Sequence, residues 1–147
     1  MNETKIKKDF LYSYRNHMKK IRSLEEKLCS VKSKIENINA IDYSKEFSPG
    51  ISRDTNLEFL MDRKISLENR ISEEYLRSLS IKNDITKVIE AVDDPTLYRI
   101  LEYFFIDMKS VEKICHKIDR SERQFYRLYK NAIESIPVDL VLEMSVA

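Results

Sequence analysis

Apolar and semi-apolar residues recur at alternating spacings of four and three along the first forty positions of the chain. This periodicity is typical of a coiled-coil seam, in which one stripe of a helix faces a partner helix. No Gly or Pro interrupts the chain before Pro49, so we predict one helix over about residues 4–39, roughly 50 Å long. Its seam consists of Phe10, Tyr14, His17, Ile21, Leu24, Leu28, Val31, Ile35 and Ile38.

A turn signal and a second apolar stripe follow. Ser48, Pro49 and Gly50 interrupt the helical pattern, and Asp54 is a suitable N-cap for a helix over about residues 54–92. The second stripe is wider than a coiled-coil seam, and Lys64, Glu74 and Ser78 interrupt it. Its seam residues are Leu57, Leu60, Leu67, Ile71, Ile81, Ile85, Val88 and Val92, and the widening residues are Met61, Ile65, Tyr75, Leu79 and Ile89.

Two long amphipathic helices joined by one loop predict an antiparallel hairpin. Periodicity alone leaves a parallel dimer seam along the first helix open as the alternative. A two-helix hairpin buries little surface, and the wide stripe on the second helix leaves apolar side chains for another chain. We therefore expect a homo-oligomer, with a dimer favoured, associated through the coiled coil.

The last third of the chain contains capping residues and turns that predict several short helices. Asp94 is an N-cap followed by Pro95 at the first helical position, which starts a helix and places a domain boundary at residue 93. Ser110 caps a second short helix after a break at residues 106–109. A turn at residues 119–120 follows, and Ser121 with Gln124 forms a capping box that opens the last helix. The expected fold class is therefore all-α: a long helical hairpin over 1–92 and a three-helix module with a short tail over 93–147.

The last helix has one apolar and one polar face. Phe125, Leu128, Ala132 and Ile136 recur at helical spacing and should seat it on the two preceding helices. From Lys109 to Lys130 the chain has seven basic and three acidic residues. Arg binds guanine and Gln binds adenine in bidentate fashion, so this face suits the major groove of DNA. An ordinary three-helix bundle with a solvated basic face is the alternative.

The stretch from Phe105 to Cys115, continued from Ser121 to Ile133, resembles the helix-turn-helix of sigma-factor region four. It is more closely similar to the small phage-encoded transcriptional regulators of the RinA and ArpU type, in which a Ser-Glu-Arg-Gln segment opens the recognition helix. The resemblance covers Leu97 to Ile136 and implies transcriptional control in a phage or prophage. It implies base or backbone contacts from Ser121, Arg123, Gln124 and Arg127, and phosphates near Lys109 and Lys130. With Arg120 and Tyr126 on the same module, the candidate DNA-binding residues are Lys109, Arg120, Ser121, Arg123, Gln124, Tyr126, Arg127 and Lys130.

This chain departs from the regulators at three positions. The pattern usually has Gly before the first helix of the motif and in its turn, where this chain has Met108 and Asp119. Asp tolerates the left-handed conformation better than most residues, whereas Met108 predicts a different geometry ahead of the motif. Cys115 replaces a customary Ala, which exchanges one small residue for another.

The amino-acid composition mainly excludes fold classes and kinds of partner. One Gly, three Pro and no Trp leave too little turn chemistry for a β-sandwich, a barrel or a Rossmann-like sheet. The net charge of +1 predicts no partner, so any electrostatic signal must be local. Ten basic against five acidic residues up to Asn39 favour a solvated helix face over nucleic-acid contact. Cys29 and Cys115 are expected to pack as small apolar side chains rather than to form a disulfide.

We expect no catalysis, cofactor or metal, because the chain has no phosphate-binding loop, no zinc-ligand spacing and only two His. The N-terminus lacks the apolar run of a signal peptide and no stretch approaches a membrane span, which predicts a cytoplasmic protein away from membranes. The apolar tail from Pro137 to Ala147 should dock on the bundle, with a partner such as RNA polymerase as the alternative.

Three functional hypotheses fit this pattern. The first is a sequence-specific DNA-binding transcriptional regulator that acts with host RNA polymerase. A second is a DNA-packaging subunit of the small-terminase kind, which would assemble into a ring. A third is a coiled-coil adaptor protein whose C-terminal bundle only packs and has no DNA affinity.

Overall fold

The computed structural model describes residues 2–41 and 53–146, and every regular element within them is helical, as the sequence predicts. The predicted turn at residues 48–50 lies outside these ranges. A π-helical turn, Glu102–Ile106, directly continues the third α-helix. No helix in the described part of the chain is both long and apolar enough to cross a membrane. The α-helices are α1 Glu3–Ile41, α2 Arg53–Ile89, α3 Pro95–Leu101, α4 Val111–Ile118, α5 Glu122–Glu134 and α6 Val138–Val146.

The chain forms two compact units. The head unit combines Met1–Met18 with Ser78–Ala147, and the hairpin unit is Lys19–Arg77. The boundary that the sequence predicts at residue 93 lies inside the head unit. The predicted second helix starts within one residue of α2, which spans Arg53–Ile89, but its predicted end at residue 92 lies three residues beyond Ile89. The side chain of Asp54, the predicted N-cap, lies outside the described part of the structure.

In the hairpin unit, α1 and α2 pack antiparallel along the predicted seams. Leu24, Val31 and Leu67 are buried there, and the neighbouring seam residues are partly buried around them. Glu74 interrupts the apolar seam as expected, yet it is 6% exposed. Its Oε1 lies 3.5 Å from Lys20 Nζ and 3.5 Å from Arg77 Nη1. These cations offset the desolvation of a buried carboxylate, which is costly when unpaired.

The head unit has a core built from every helix it contains except α4, which packs on a second, smaller cluster. Burial of one large aliphatic or aromatic side chain contributes about 1.5–3 kcal/mol. Leu11 of α1 is fully buried, although the predicted seam passes through its neighbour Phe10. The main cluster comprises Leu11, Tyr14, Ile85, Val88, Ile89, Val92, Leu101, Phe105, Ala132, Ile133, Ile136 and Val141.

The C-terminal tail docks on this core as a helix. Val141 of α6 is fully buried, and Leu140 and Met144 pack against the same cluster. The docking interpretation of the apolar tail is therefore confirmed. Leu142 faces away and is 45% exposed.

Local capping chemistry begins α3 and α4 where the sequence predicts. Asp94 Oδ1 accepts hydrogen bonds from Thr96 N at 2.9 Å and Leu97 N at 3.1 Å. Ser110 Oγ accepts one from Lys113 N at 3.3 Å. Each cap satisfies backbone N–H groups that have no acceptor within the helix.

In the described part of the chain, two non-glycine residues occupy the left-handed backbone region. Met108 has φ 54° and Asp119 has φ 55°. Met108 thus takes a positive φ, which Gly adopts more readily than other residues, and its expected difference from the geometry of the regulators stays a prediction. The left-handed conformation costs an L-residue about 1–2 kcal/mol through its Cβ, and packing of the half-buried Met108 against the head core offsets that cost.

Asp119 allows a measurement of the free-energy cost of a Cβ in the left-handed conformation, because its side chain is exposed. We expect Asp119→Val to have a free energy of unfolding about 1–2 kcal/mol below that of Asp119→Gly, because only Val carries a β-branched Cβ into the left-handed region. Urea denaturation followed by circular dichroism measures both. Both substitutions remove the same carboxylate, so equal stabilities would contradict a left-handed residue at this turn.

The composition of the head core predicts that the last third of the chain cannot fold alone. A fragment of residues 93–147 would expose the faces of Phe105, Ile133 and Ile136 that α1 and α2 cover. We expect no cooperative thermal transition for this fragment. A matched protein in which about eight Gly and Ser residues replace residues 19–77 keeps the head unit complete and should unfold cooperatively. Cooperative unfolding of the fragment would instead support the predicted domain boundary at residue 93.

Candidate nucleic-acid interface

The predicted DNA-binding residues cluster on α4, α5 and the turn between them. Asp119 ends α4 in the left-handed conformation with φ 55° and ψ 52°, and its N–H donates to Cys115 O. Arg120 N donates to the same carbonyl at 3.1 Å. These bonds satisfy the last turn of α4, so the chain reverses within three residues and α5 starts at Glu122.

The predicted capping box at the start of α5 is present. Ser121 Oγ accepts from Gln124 N at 3.2 Å, and Gln124 Oε1 accepts from Ser121 N at 3.1 Å. Both side chains are exposed, yet both are engaged in holding the end of the helix. Gln124 therefore has a structural role that competes with bidentate pairing to adenine, which needs the same Oε1.

One face of α5 is fixed in the head unit as predicted. Phe125 is fully buried beside Ile100 of α3 and Ile114 of α4. Ala132 and Ile136 are buried further along, together with Ile133, which the periodicity did not single out. This packing determines which side of α5 faces solvent.

The opposite face of α5 is exposed and basic. Arg123, Arg127 and Lys130 follow one another at helical spacings of four and three, and all three are exposed. Tyr126 is 54% exposed beside them, and its ring meets that of Phe125 edge-on at 5.3 Å. Arg120 is also exposed, at the turn.

Lys109 differs from the other predicted residues because it is half-buried. Its Nζ lies 5.9 Å from the centre of the Tyr103 ring. The predicted residues thus form one exposed face on α5 and the preceding turn, with Lys109 directed to a ring on the π turn.

Contacts from the first residues of α1 hold α5 in place, and sequence analysis missed them. Lys7 is 7% exposed, and its Nζ donates to Glu134 O at 3.2 Å. The negative end of the helix dipole, at the C-terminus of α5, stabilises a cation at this position. The hydroxyls of Tyr12 and Tyr129 lie 3.4 Å apart. Burial, and then the hydrogen bond with Tyr12, raise the pKa of Tyr129, so its hydroxyl stays protonated.

Cys115 and His116 do not form a metal site with other described residues. Within residues 2–41 and 53–146, no three His, Cys, Asp or Glu side chains are grouped to hold a metal ion. Cys115 packs half-buried in the cluster around Phe125. Burial, followed by the charge of Glu122, raises the pKa of the Cys115 thiol, which therefore stays neutral and behaves as a small apolar group.

Comparison with known proteins gives one match. A family model described as "Protein of unknown function (DUF1492)" matches residues 52–137, which include all of α2, α3, α4 and α5. Neither a search of curated proteins nor a search of solved structures found a significant match. Because the family model matches more than half of the chain, the protein belongs to the DUF1492 family.

Proposed function

We propose that this protein is a sequence-specific DNA-binding transcriptional regulator with α5 as its recognition helix. One observation carries the proposal: packing of Phe125 and Ala132 fixes α5 so that Arg123 and Arg127 project into solvent. An exposed helix of this kind, preceded by a short helix and a tight turn, enters the major groove in helix-turn-helix proteins.

We assign a different role to each group of candidate residues. Arg123 and Arg127 are the base-contacting residues, because a guanidinium pairs two acceptors of guanine. Lys130, Arg120 and Lys109 contact phosphates. Ser121 and Gln124 hold the start of α5 through the capping box. Tyr126 flanks Arg123 and Arg127 on the same exposed face.

The setting of this activity follows from the resemblance to the phage-encoded regulators. The protein acts in the cytoplasm of a bacterial host, encoded by a phage or prophage, and alters transcription by contact with host RNA polymerase. The local excess of basic residues between Lys109 and Lys130 supports attraction to double-stranded DNA, which carries a dense negative charge.

We also propose that the protein binds DNA as a dimer joined through its hairpin unit. In that unit Ile65 is 52% exposed and Leu76 is 70% exposed, although both lie in the middle of a long helix. Phe59 and Met61 add exposed apolar surface near the start of α2. Large side chains of this type mark association surfaces, and a dimer presents two recognition helices to two half-sites.

The role of α5 is tested by Arg123→Ala/Arg127→Ala. We expect each substitution to weaken binding to the preferred duplex by about 1–3 kcal/mol and to reduce its preference over scrambled DNA. Fluorescence anisotropy with duplexes from the upstream region of the protein's own gene measures the change. Arg63→Ala/Arg70→Ala removes the same charge from exposed positions of α2 and should retain the preference.

Two outcomes would contradict DNA recognition by α5. Equal weak binding of both duplexes, unchanged in the Arg123 and Arg127 variant, would show that α5 does not recognise sequence. Absence of any binding by the wild type would favour the coiled-coil adaptor.

The dimer is tested by Ile65→Glu/Leu76→Glu. Charged side chains in an apolar interface leave a desolvated carboxylate without a partner, so we expect dissociation into monomers. Sedimentation velocity gives the mass, with Ser66→Glu/Ser72→Glu as exposed polar controls on the same helix. A monomeric wild type would contradict the proposal, and a ring of many subunits would favour the small-terminase alternative.

A further inference from the structure

Three cations surround one aromatic ring in the head unit. The guanidinium carbon of Arg99 and Nζ of Lys117 each lie 5.6 Å from the centre of the Tyr103 ring, and Nζ of Lys109 lies 5.9 Å from it. These distances are within the range of cation–π attraction. Arg99 comes from α3, Tyr103 from the π turn and Lys117 from α4. We call these four residues the Tyr103 cluster.

The Tyr103 cluster holds its positive charge without a carboxylate. Within residues 2–41 and 53–146, none of the three cations lies within 4.0 Å of an acidic side chain, and the ion pairs found there involve Glu74. Like charges gathered at one place repel one another, and a ring face offsets only part of that repulsion. An anion bound beside these cations would offset that repulsion.

The hydroxyl of Tyr103 can donate a hydrogen bond to such an anion. Arg99 Nη2 donates to Tyr103 Oη at 2.9 Å. A phenol that accepts from a guanidinium keeps its own O–H free to donate, and the guanidinium keeps further N–H donors. The cluster therefore combines O–H and N–H donors with ammonium groups, which is the chemistry that recognises a phosphate group.

We propose that the Tyr103 cluster binds a backbone phosphate of the DNA that α5 recognises. This inference rests on the proposed function and adds Arg99, Tyr103 and Lys117 to its interface. The first helix of a helix-turn-helix crosses the DNA backbone, and Lys117 lies on that helix, α4. A phosphate is favoured over an acidic protein segment for this reason. Phosphate contacts set the position and orientation of the protein and carry no sequence information.

The test compares Arg99→Gln/Lys117→Gln with Lys27→Gln/Lys34→Gln in the full-length protein. The second pair removes two exposed charges from α1 in the hairpin unit. Dissociation constants are measured by fluorescence anisotropy from 0.1 to 1 M KCl on preferred and scrambled duplexes. Circular dichroism confirms that each variant is folded.

For Arg99→Gln/Lys117→Gln we expect the slope of log K against log [KCl] to become shallower by about 0.9 for each lost phosphate contact. Each lost contact should weaken binding roughly tenfold at 0.1 M KCl, by the same factor for both duplexes. Tyr103→Phe keeps the ring and all charges, so it should weaken binding severalfold with an unchanged slope. The control pair should leave the slope unchanged.

Three results would overturn the proposal. An unchanged slope in Arg99→Gln/Lys117→Gln, with sequence preference intact, would show that the cluster is away from DNA and open to an acidic protein partner. An equal change in the control pair would show a diffuse charge effect. A wild type without DNA affinity would remove the proposed function and this inference together.

Discussion

Two consecutive aromatic side chains, Phe104 and Phe105, hold the head unit together. Phe105 is fully buried, and its ring lies 5.2 Å from that of Tyr12 and 6.0 Å from that of Tyr129. Phe104 lies 4.8 Å from Phe105 and 6.4 Å from Phe125, and it contacts both apolar clusters of the unit. The wide π turn brings these neighbours inward together, and Asp107 N closes it by donating to Glu102 O at 2.9 Å. The helix that carries the basic face therefore depends on rings outside itself.

Because the packing of Phe104 and Phe105 involves residues of α1, the start of α1 is part of the proposed DNA-binding unit. Arg15 lies 4.3 Å from the centre of the Phe104 ring, and its Nη1 donates to Phe104 O at 3.4 Å. That carbonyl lies near the end of the π turn, where backbone acceptors have no partner within the helix. Lys7 acts in the same way at the last residue of α5, through Glu134 O. The sequence predicts a solvated face for the basic residues of α1, yet Lys7 and Arg15 cap helix ends far along the chain.

Sequence predicted well the features that depend on nearby residues. The capping box of Ser121 and Gln124 is a contact over three positions, and both of its hydrogen bonds are present. The seam periodicity gave α1 within two residues at either end, because a long amphipathic pattern averages over local exceptions. The positive φ of Met108 could not be derived, since tertiary packing overrides the usual preference for Gly there. Lys7 was missed for the same reason, because its acceptor lies 127 residues away.

The acidic residues within the basic stretch have a structural explanation. Glu112 lies in the first turn of α4 and Glu122 in the first turn of α5, where carboxylates favour the positive end of the helix dipole. Asp119 occupies the left-handed position that ends α4. The three acids therefore lie at the ends of the two helices, and Lys117 lies in the last turn of α4, where a cation is stabilised by the helix dipole. A count of net charge weights all of these residues equally, so it does not separate charges that lie at helix ends from the exposed charges of Arg123, Arg127 and Lys130.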